Sequence, residues 1–357
     1  MPDEIAETDT TMTTPQDTPA TLGRELRRIT APRTLALLVG VLVLQLGFIL
    51  SYVGAFHAPR PQHIPISIAA GAQSAHLVEQ INGIDGTPLR AHAAADETSA
   101  RESVTSGDRS AALVMNPHST TDTLYVASGG GAAVVTAVEQ VVGQVESSQH
   151  RSATTVDLVP LQAHDARGLT GFYLVIGWIV GGYLVAAAIG VMSGGRVRNL
   201  AEAGGRILLV VPYSIVSGLA GALIVDQWLS ALTGHFAALW GVGTLLVLSS
   251  AVITLFMDAL VGTVGIGVTI LIFVVLGNPS AGGPYQYDLL PAFWRTIGPF
   301  IPNGAGTTAV RDIVYFGGRG IGGPMLCLVA YILIGIIGTL AASAQIGDPR
   351  RDEPAAQ

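Results

Sequence analysis

The chain of 357 residues is 50% hydrophobic, only 12% charged and has a mean hydropathy of +0.52, a composition that a water-soluble domain of this length does not need. It contains no lysine, so its 18 basic residues are all arginine and a G-x-x-x-x-G-K-[ST] phosphate loop is excluded; the chain is not a Walker-type ATPase by itself. The single Cys327 rules out an internal disulfide, and the net charge of -7 is accompanied by no basic patch with interleaved aromatics, so no nucleic acid is expected as a partner.

Residues 1–20 are rich in Thr, Asp, Glu and Pro, lack apolar periodicity and are predicted to be a disordered tail. Over 21–33 the text TLGRELRRITAPR sets Leu22, Leu26 and Ile29 on one helical face and Arg24, Arg27 and Arg28 elsewhere. That pattern fits an amphipathic helix at a membrane surface, and equally a basic flank before a span. A first transmembrane helix is predicted over 34–55. A cleavable signal peptide is the rival reading, because Val53-Gly54-Ala55 resembles a cleavage site, but the apolar run is too long for an ordinary signal.

Residues 56–166 form a polar segment long enough for one small domain. Ile64, Ile66 and Ile68 alternate as in a strand, and Leu77, Val78, Ile81 and Ile84 follow a helical face. Strand signals at 89–94, 111–115, 124–127 and 155–161, a weak helix at 99–106 and a strong one through Val134, Val138, Val142 and Val145 complete the order βαβαββαβ. This is an inserted α+β domain.

Further apolar runs at 169–192, 207–225, 236–257, 260–277 and 322–344 bring the predicted transmembrane helices to six. The fold class expected is therefore an α-helical polytopic membrane protein with an inserted domain. Between the last two runs lies 278–321, divided by Pro279, Pro284, Pro291, Pro299 and Pro302 into short helices near 289–297 and 304–316. Pro291 suits a first helical turn and Asn303 an N-cap, whose loss in Asn303→Ala would cost about 1 kcal/mol. Broken helices at membrane depth persist only where protein or a water-filled cavity covers their backbone, so a re-entrant helical hairpin is expected.

Arg24, Arg27, Arg28, Arg33, Arg196, Arg198, Arg206, Arg350 and Arg351 fall on one side of this topology, whereas 278–321 carries only Arg295, Arg311 and Arg319. The positive-inside rule then puts both termini in the cytoplasm and the α+β domain and hairpin outside, in a multi-pass cell-membrane protein surrounded by lipid. Trp228, Trp240 and Trp294 agree, at the outer interface.

Chemistry is sparse. Seven of the eight histidines lie in the inserted domain without the spacing of a metal site, and no G-x-S-x-G elbow or paired acid is present. The chain is read as no enzyme, with no cofactor. Asp226, His235 and Asp258 lie at predicted span ends, in reach of water. Small-residue pairs such as Gly177 with Gly181 and Ser217 with Gly221 allow close helix approach. The basic loop 193–206, SGGRVRNLAEAGGR, allows a short helix at about 197–203 between paired glycines, able to dock on another protein; a plain topogenic loop is the alternative.

Two stretches of text, ARESVTSGDRSAALVMNP in the inserted domain and NPSAGG followed by LLPAFWRTIGPFIPNGAGTTAVRDIVYFGG in the hairpin, carry a resemblance. With the span–domain–five-span layout, the chain resembles the permease subunits of ABC type 2 exporters, closest to the phage infection protein branch and the nitrosoguanidine-resistance membrane proteins. The resemblance covers roughly 21–345, and the chain lacks the long coiled-coil insertion of the largest members. It implies an elbow helix at 21–33 and a coupling loop at 193–206, where Arg196, Arg198, Asn199, Glu202 and Arg206 would meet a separate ATPase. It also implies an outer exit gate built on the hairpin, for which Leu290, Pro291, Phe293, Trp294, Pro299, Pro302, Asn303 and Arg311 are the candidates. Export of a hydrophobic or amphipathic compound by a homodimer, or by a heterodimer with a sister permease, would follow. The competing reading is a non-transporting surface protein whose outer domain binds a phage, a secretion complex or a cell-wall component.

Overall fold

The structure is a computed structural model that describes residues 31–194, 197 and 199–346. The acidic tail 1–20, the amphipathic segment up to residue 30, Arg196, Arg198 and the tail from 347 lie outside the described residues. Contacts divide the chain into two units, 1–47 and 48–357. In the first, the described part is the start of helix α1 (Pro32–Phe56), where Pro32 lacks only an N–H that a first turn leaves unpaired. Leu35, Leu37, Leu38, Val39, Val41 and Val43 are exposed around its circumference, the all-round apolar surface of a helix suited to lipid.

In the second unit the inserted segment folds as a five-stranded sheet in the order β2-β1-β3-β4-β5. Its strands are β1 (Ile64–Ala69), β2 (Leu89–Ala93), β3 (Ala111–Val114), β4 (Thr121–Val126) and β5 (Ser152–Asp157). β1 runs parallel to β2 and β3, β4 is antiparallel to β3, and β5 is parallel to β4. Helices α2 (Ser74–Asn82) and α4 (Ala132–Ser148) bury Leu77, Ile81, Val134, Val138 and Val142 against Ile64, Ile66 and Ile68 on one face. Helix α3 (Glu97–Thr105) covers the other face with Ala100 and Val104, and Asp96 and Ser99 close a capping box at its start. The element order matches the periodicity, although the last strand begins at Ser152, ahead of the apolar residues that suggested 155–161.

The remaining helices form a bundle: α5 (Thr170–Met192), α6 (Leu200–Leu223), α7 (Phe236–Val261) and α11 (Gly322–Ile346). α7 is central, with Leu239, Leu246, Val247, Val252 and Leu255 buried among its neighbours. Among the described residues, five helices are long and apolar enough to cross a membrane: Thr34–Phe56, Thr170–Met192, Leu200–Trp228, Phe236–Val261 and Gly322–Ala344. This is a helical multi-pass membrane protein. The predicted fifth run is a shorter apolar helix, Val264–Ser280, which comprises α8 (Val264–Ile270), a π turn over Leu271–Gly277 and a last turn at Asn278–Ser280.

Three expectations are corrected here. The third long helix starts at Leu200 rather than at residue 207, because Asn199 caps it and Gly204 and Gly205 are carried inside it; among the described residues no separate helix forms at 197–203. Of the small-residue pairs, Gly221 lies under Trp178, where a Cβ would come 2.3 Å from Nε1, and Gly181 faces Ser217, whereas a side chain at Gly177 would meet open space; Gly182 against Ser250 and Gly218 against the Thr244 amide are further close contacts. Asp226 and Asp258 are buried, not water-facing, because each has found protein partners.

The bundle has two distinct ends. At one, Gln162 of the linker after β5 exchanges hydrogen bonds with Thr233, and Asp165 accepts from Tyr315 at 2.6 Å, so the linker, the 229–235 loop and the 278–321 segment lie together. At the other, Val197, Ala203 and Ala259 pack with Leu340 and Ala342.

Candidate functional site

The 278–321 segment packs against the bundle, with Ala305, Ala309, Val310 and Ile313 in one buried cluster with Val175, Leu246 and Leu328. Helix α9 (Ala292–Ile297) begins one residue after Pro291, which is its N-cap and not part of its first turn. Helix α10 (Pro302–Phe316) begins at Pro302, with Ile301 as N-cap and no side-chain cap. Asn303 is therefore inside the helix and is not its cap: Pro302 already supplies the fixed φ and the missing N–H of a first position.

The Asn303 side chain serves a different purpose. It is fully buried, and its Nδ2 donates to the Phe273 carbonyl at 2.9 Å and to Asn278 Oδ1 at 2.7 Å. Phe273 sits in the π turn, which interrupts the regular ladder of α8. Asn303 thus joins the start of α10 to the irregular end of α8. Gly277 leaves the space, since a Cβ there would lie 2.5 Å from Asn303 Oδ1. The other end of α10 is held by the inserted domain: Phe316 packs beside Ala100 and Val104, Tyr315 lies over Gly129, and Leu289 of the same hairpin enters the core under Ile64 and Ile66. A Cβ on Gly129 would come within 2.5 Å of the Tyr315 ring, so this close approach requires glycine.

Two apolar grooves flank the hairpin. One of about 910 Å³ lies between α6, α7, α10 and α11 and is lined by Ile215, Trp240, Thr244, Ile313 and Met325. The other, of about 620 Å³, lies between the hairpin and α11, with Tyr287, Pro299, Phe300, Cys327 and Ile334 on its walls. A third cavity, of about 200 Å³ and polar, occupies the seam between the hairpin and the inserted domain.

The eight hairpin candidates are not gathered around one opening. Leu290 and Trp294 are packed with Ala55, Phe56 and Leu276 as a small core. Phe293 is exposed and meets Trp294 edge to face at 4.9 Å. Pro299 lines the 620 Å³ groove, whereas Pro291, Pro302 and Asn303 shape the backbone. Arg311 donates to the Gly282 carbonyl at 2.7 Å and lines the seam cavity.

At the opposite end, Asn199 Oδ1 accepts from the Glu202 amide at 2.9 Å, and Glu202 pairs with Arg206 at 2.8 Å. Arg206 also pairs with Asp258 of α7 at 3.1 Å, with both side chains buried. Arg196 and Arg198 lie outside the described residues. The Glu202–Arg206 pair was readable from its i, i+4 spacing, but Asp258 is 52 positions away and no local signal connects it. Tyr287, Tyr315, Gln286 and Asp312 carry no local signal, and Asp165, a carboxylate with no identifiable partner in the sequence, finds Tyr315; the glycine run 129–131 is the available sign that another backbone or ring approaches there. Among the described residues no group of His, Cys, Asp and Glu is arranged to hold a metal ion.

No protein-family profile, curated protein or solved structure matches the chain.

Proposed function

We propose that the chain is the permease-like membrane subunit of an ABC-type exporter, moving a hydrophobic or amphipathic compound out of the cell with a separately encoded ATPase, as a homodimer or beside a sister permease. In this reading the chain crosses the cell membrane six times, with Val264–Ser280 as the short fifth crossing. Both termini are cytoplasmic, and the α+β domain and hairpin are outside. The observation that carries the proposal is the hairpin itself: an irregular segment, pinned by Asn303 to a π turn, with apolar grooves of about 910 and 620 Å³ on either side of it. Irregular backbone at membrane depth persists where it is buried in protein or lines a water-filled cavity, and grooves of this size and character suit an apolar or amphipathic cargo.

The other end supplies a route for force. ATPase closure against 193–206 would be passed to α7 through the buried Glu202–Arg206–Asp258 contacts instead of being lost in a loose loop. α7 leads to Trp240 and Thr244 on the larger groove. Coupling then amounts to a shift in population between inward- and outward-open states.

Replacing Arg196 and Arg198 with Glu tests this. Export of a hydrophobic drug and co-purification of an ATPase are both expected to be lost, while the protein still reaches the membrane. Wild-type protein that recruits no ATPase and confers no efflux, yet binds a surface partner through its outer domain, would sink the exporter reading in favour of the anchored surface protein.

A further inference from the structure

The seam cavity between the inserted domain and the hairpin gathers two arginines and two aspartates without closing any of them into an ion pair among the described residues. Arg109 and Arg311 both line it, and among the described residues neither has a carboxylate within ion-pair distance. Their guanidinium groups donate to backbone carbonyls, those of Asp108 and Gly282. Asp288 and Asp312 line the same cavity, and among the described residues they too form no ion pair. On the same wall Gln286 has a buried Oε1 with no donor. Guanidinium groups without a carboxylate partner select an oxyanion, and an orphaned carbonyl oxygen on a wall shared with two carboxyl groups suits an ammonium. The volume of about 200 Å³ holds roughly seven water-sized groups, enough for a small zwitterionic head.

The cavity does not stand alone. Tyr287 is a wall of this polar chamber and also of the 620 Å³ groove, whose other walls include Phe300, Leu326 and Ile334. A polar chamber for a head and an apolar trough for a tail therefore share one side chain.

We propose that the seam cavity and the adjoining groove form one binding site for a zwitterionic amphiphile, its oxyanion held by Arg109 and Arg311, its ammonium by Gln286, Asp288 and Asp312, and its hydrocarbon chain beyond Tyr287. The proposal deepens the exporter reading by naming the class of compound, but binding requires no ATP and no ATPase, so the two can fail separately.

The test uses the detergent-solubilised full-length chain and four soluble probes: dihexanoyl phosphatidylethanolamine, dihexanoyl phosphatidylglycerol, dihexanoylglycerol and free phosphoethanolamine. Phosphatidylethanolamine is expected to bind at least about tenfold more tightly than each of the others, the scale of one charge-assisted hydrogen bond. Arg311→Gln should erase that preference. Arg109→Gln, which leaves the Gly282 contact intact, should erase it too and guards against a folding defect in the first variant. Equal binding of dihexanoylglycerol or of the phosphatidylglycerol would mean that the head is not read, and would overturn the proposal. Free phosphoethanolamine binding as tightly as the lipid would overturn it as well, by removing the groove from the site.

Discussion

If Asn303 joins two irregular backbones, its replacement should cost more than a helix cap. In Asn303→Ala the Phe273 carbonyl and Asn278 Oδ1 both lose their donor, each buried where water does not reach. Two stranded acceptors cost roughly 2–6 kcal/mol together, and deleting Asn303 Oδ1, itself buried without a donor, offsets about 1–3 kcal/mol of that. The expected net loss is about 1–3 kcal/mol, centred near 2, against about 1 kcal/mol for a lost cap. Asn303→Asp separates the two accounts sharply. Aspartate is as good an N-cap as asparagine, so a cap would tolerate it, whereas here it turns the Nδ2 donor into a third acceptor facing two others. Reversible unfolding of the detergent-solubilised protein by SDS titration gives both numbers. An Asn303→Asp variant as stable as wild type, with the alanine variant within about 1 kcal/mol, would refute the joint between α8 and α10.

Two further outcomes are expected. Glu146, buried at the end of α4 beside Asp122, has its carboxyl pushed up from 4.5 to about 7 by burial and then by the neighbouring carboxylate. For Asp122, burial opposes ionisation, but the Arg151 guanidinium and the Asn116 amide outweigh it and hold the carboxyl below its usual range. Because the folded Glu146 is raised, its contribution is fully present below 4.5 and is lost as the pH climbs through about 7; the low Asp122 acts in the opposite sense, only in more acid solution. Wild-type stability, followed by thermal unfolding across pH 5 to 8, should therefore fall by roughly 2 kcal/mol, and by much less in Glu146→Gln; an unchanged slope in the variant would contradict this. At the other end of the bundle, Asp258→Leu alone should cost roughly 3 kcal/mol by leaving Arg206 buried with less compensation, and adding Arg206→Met should recover much of it. Additive losses in thermal unfolding would show that the pair is not coupled.

Much of the fold was legible because its signals are local. Ile64, Ile66 and Ile68 alternate, Val134, Val138 and Val142 repeat as a helix does, and apolar runs mark the long helices. What escaped was non-local or depended on small geometric choices. Gly204 and Gly205 read as loop punctuation, yet they lie within α6, where packing of Ala203 and Arg206 outweighs their weak propensity. Proline, asparagine and glycine in succession at 302–304 fit a cap at Asn303 or a start at Pro302 equally well; the π turn in α8 that decides between them has no sequence signature. The seam chamber joins residues from α3's exit, the start of α4, the hairpin loop and α10, and no spacing brings Arg109 beside Arg311. Leu290, Phe293 and Trp294 are exit-gate candidates as apolar side chains in a helix-broken stretch, but Leu290 and Trp294 serve packing and polar residues of the same segment line the chamber.

Which compartment each end of the bundle faces underlies both the proposed exporter and the proposed lipid site. With Cys327 replaced by Ser, single cysteines at the exposed positions Asp85, Ser230, Arg319 and Thr263 can be challenged in intact cells with a membrane-impermeant maleimide. The account requires the first three to react at once and Thr263 only after permeabilisation. Labelling of Thr263 in intact cells, or protection of Arg319 where Asp85 reacts, would contradict it.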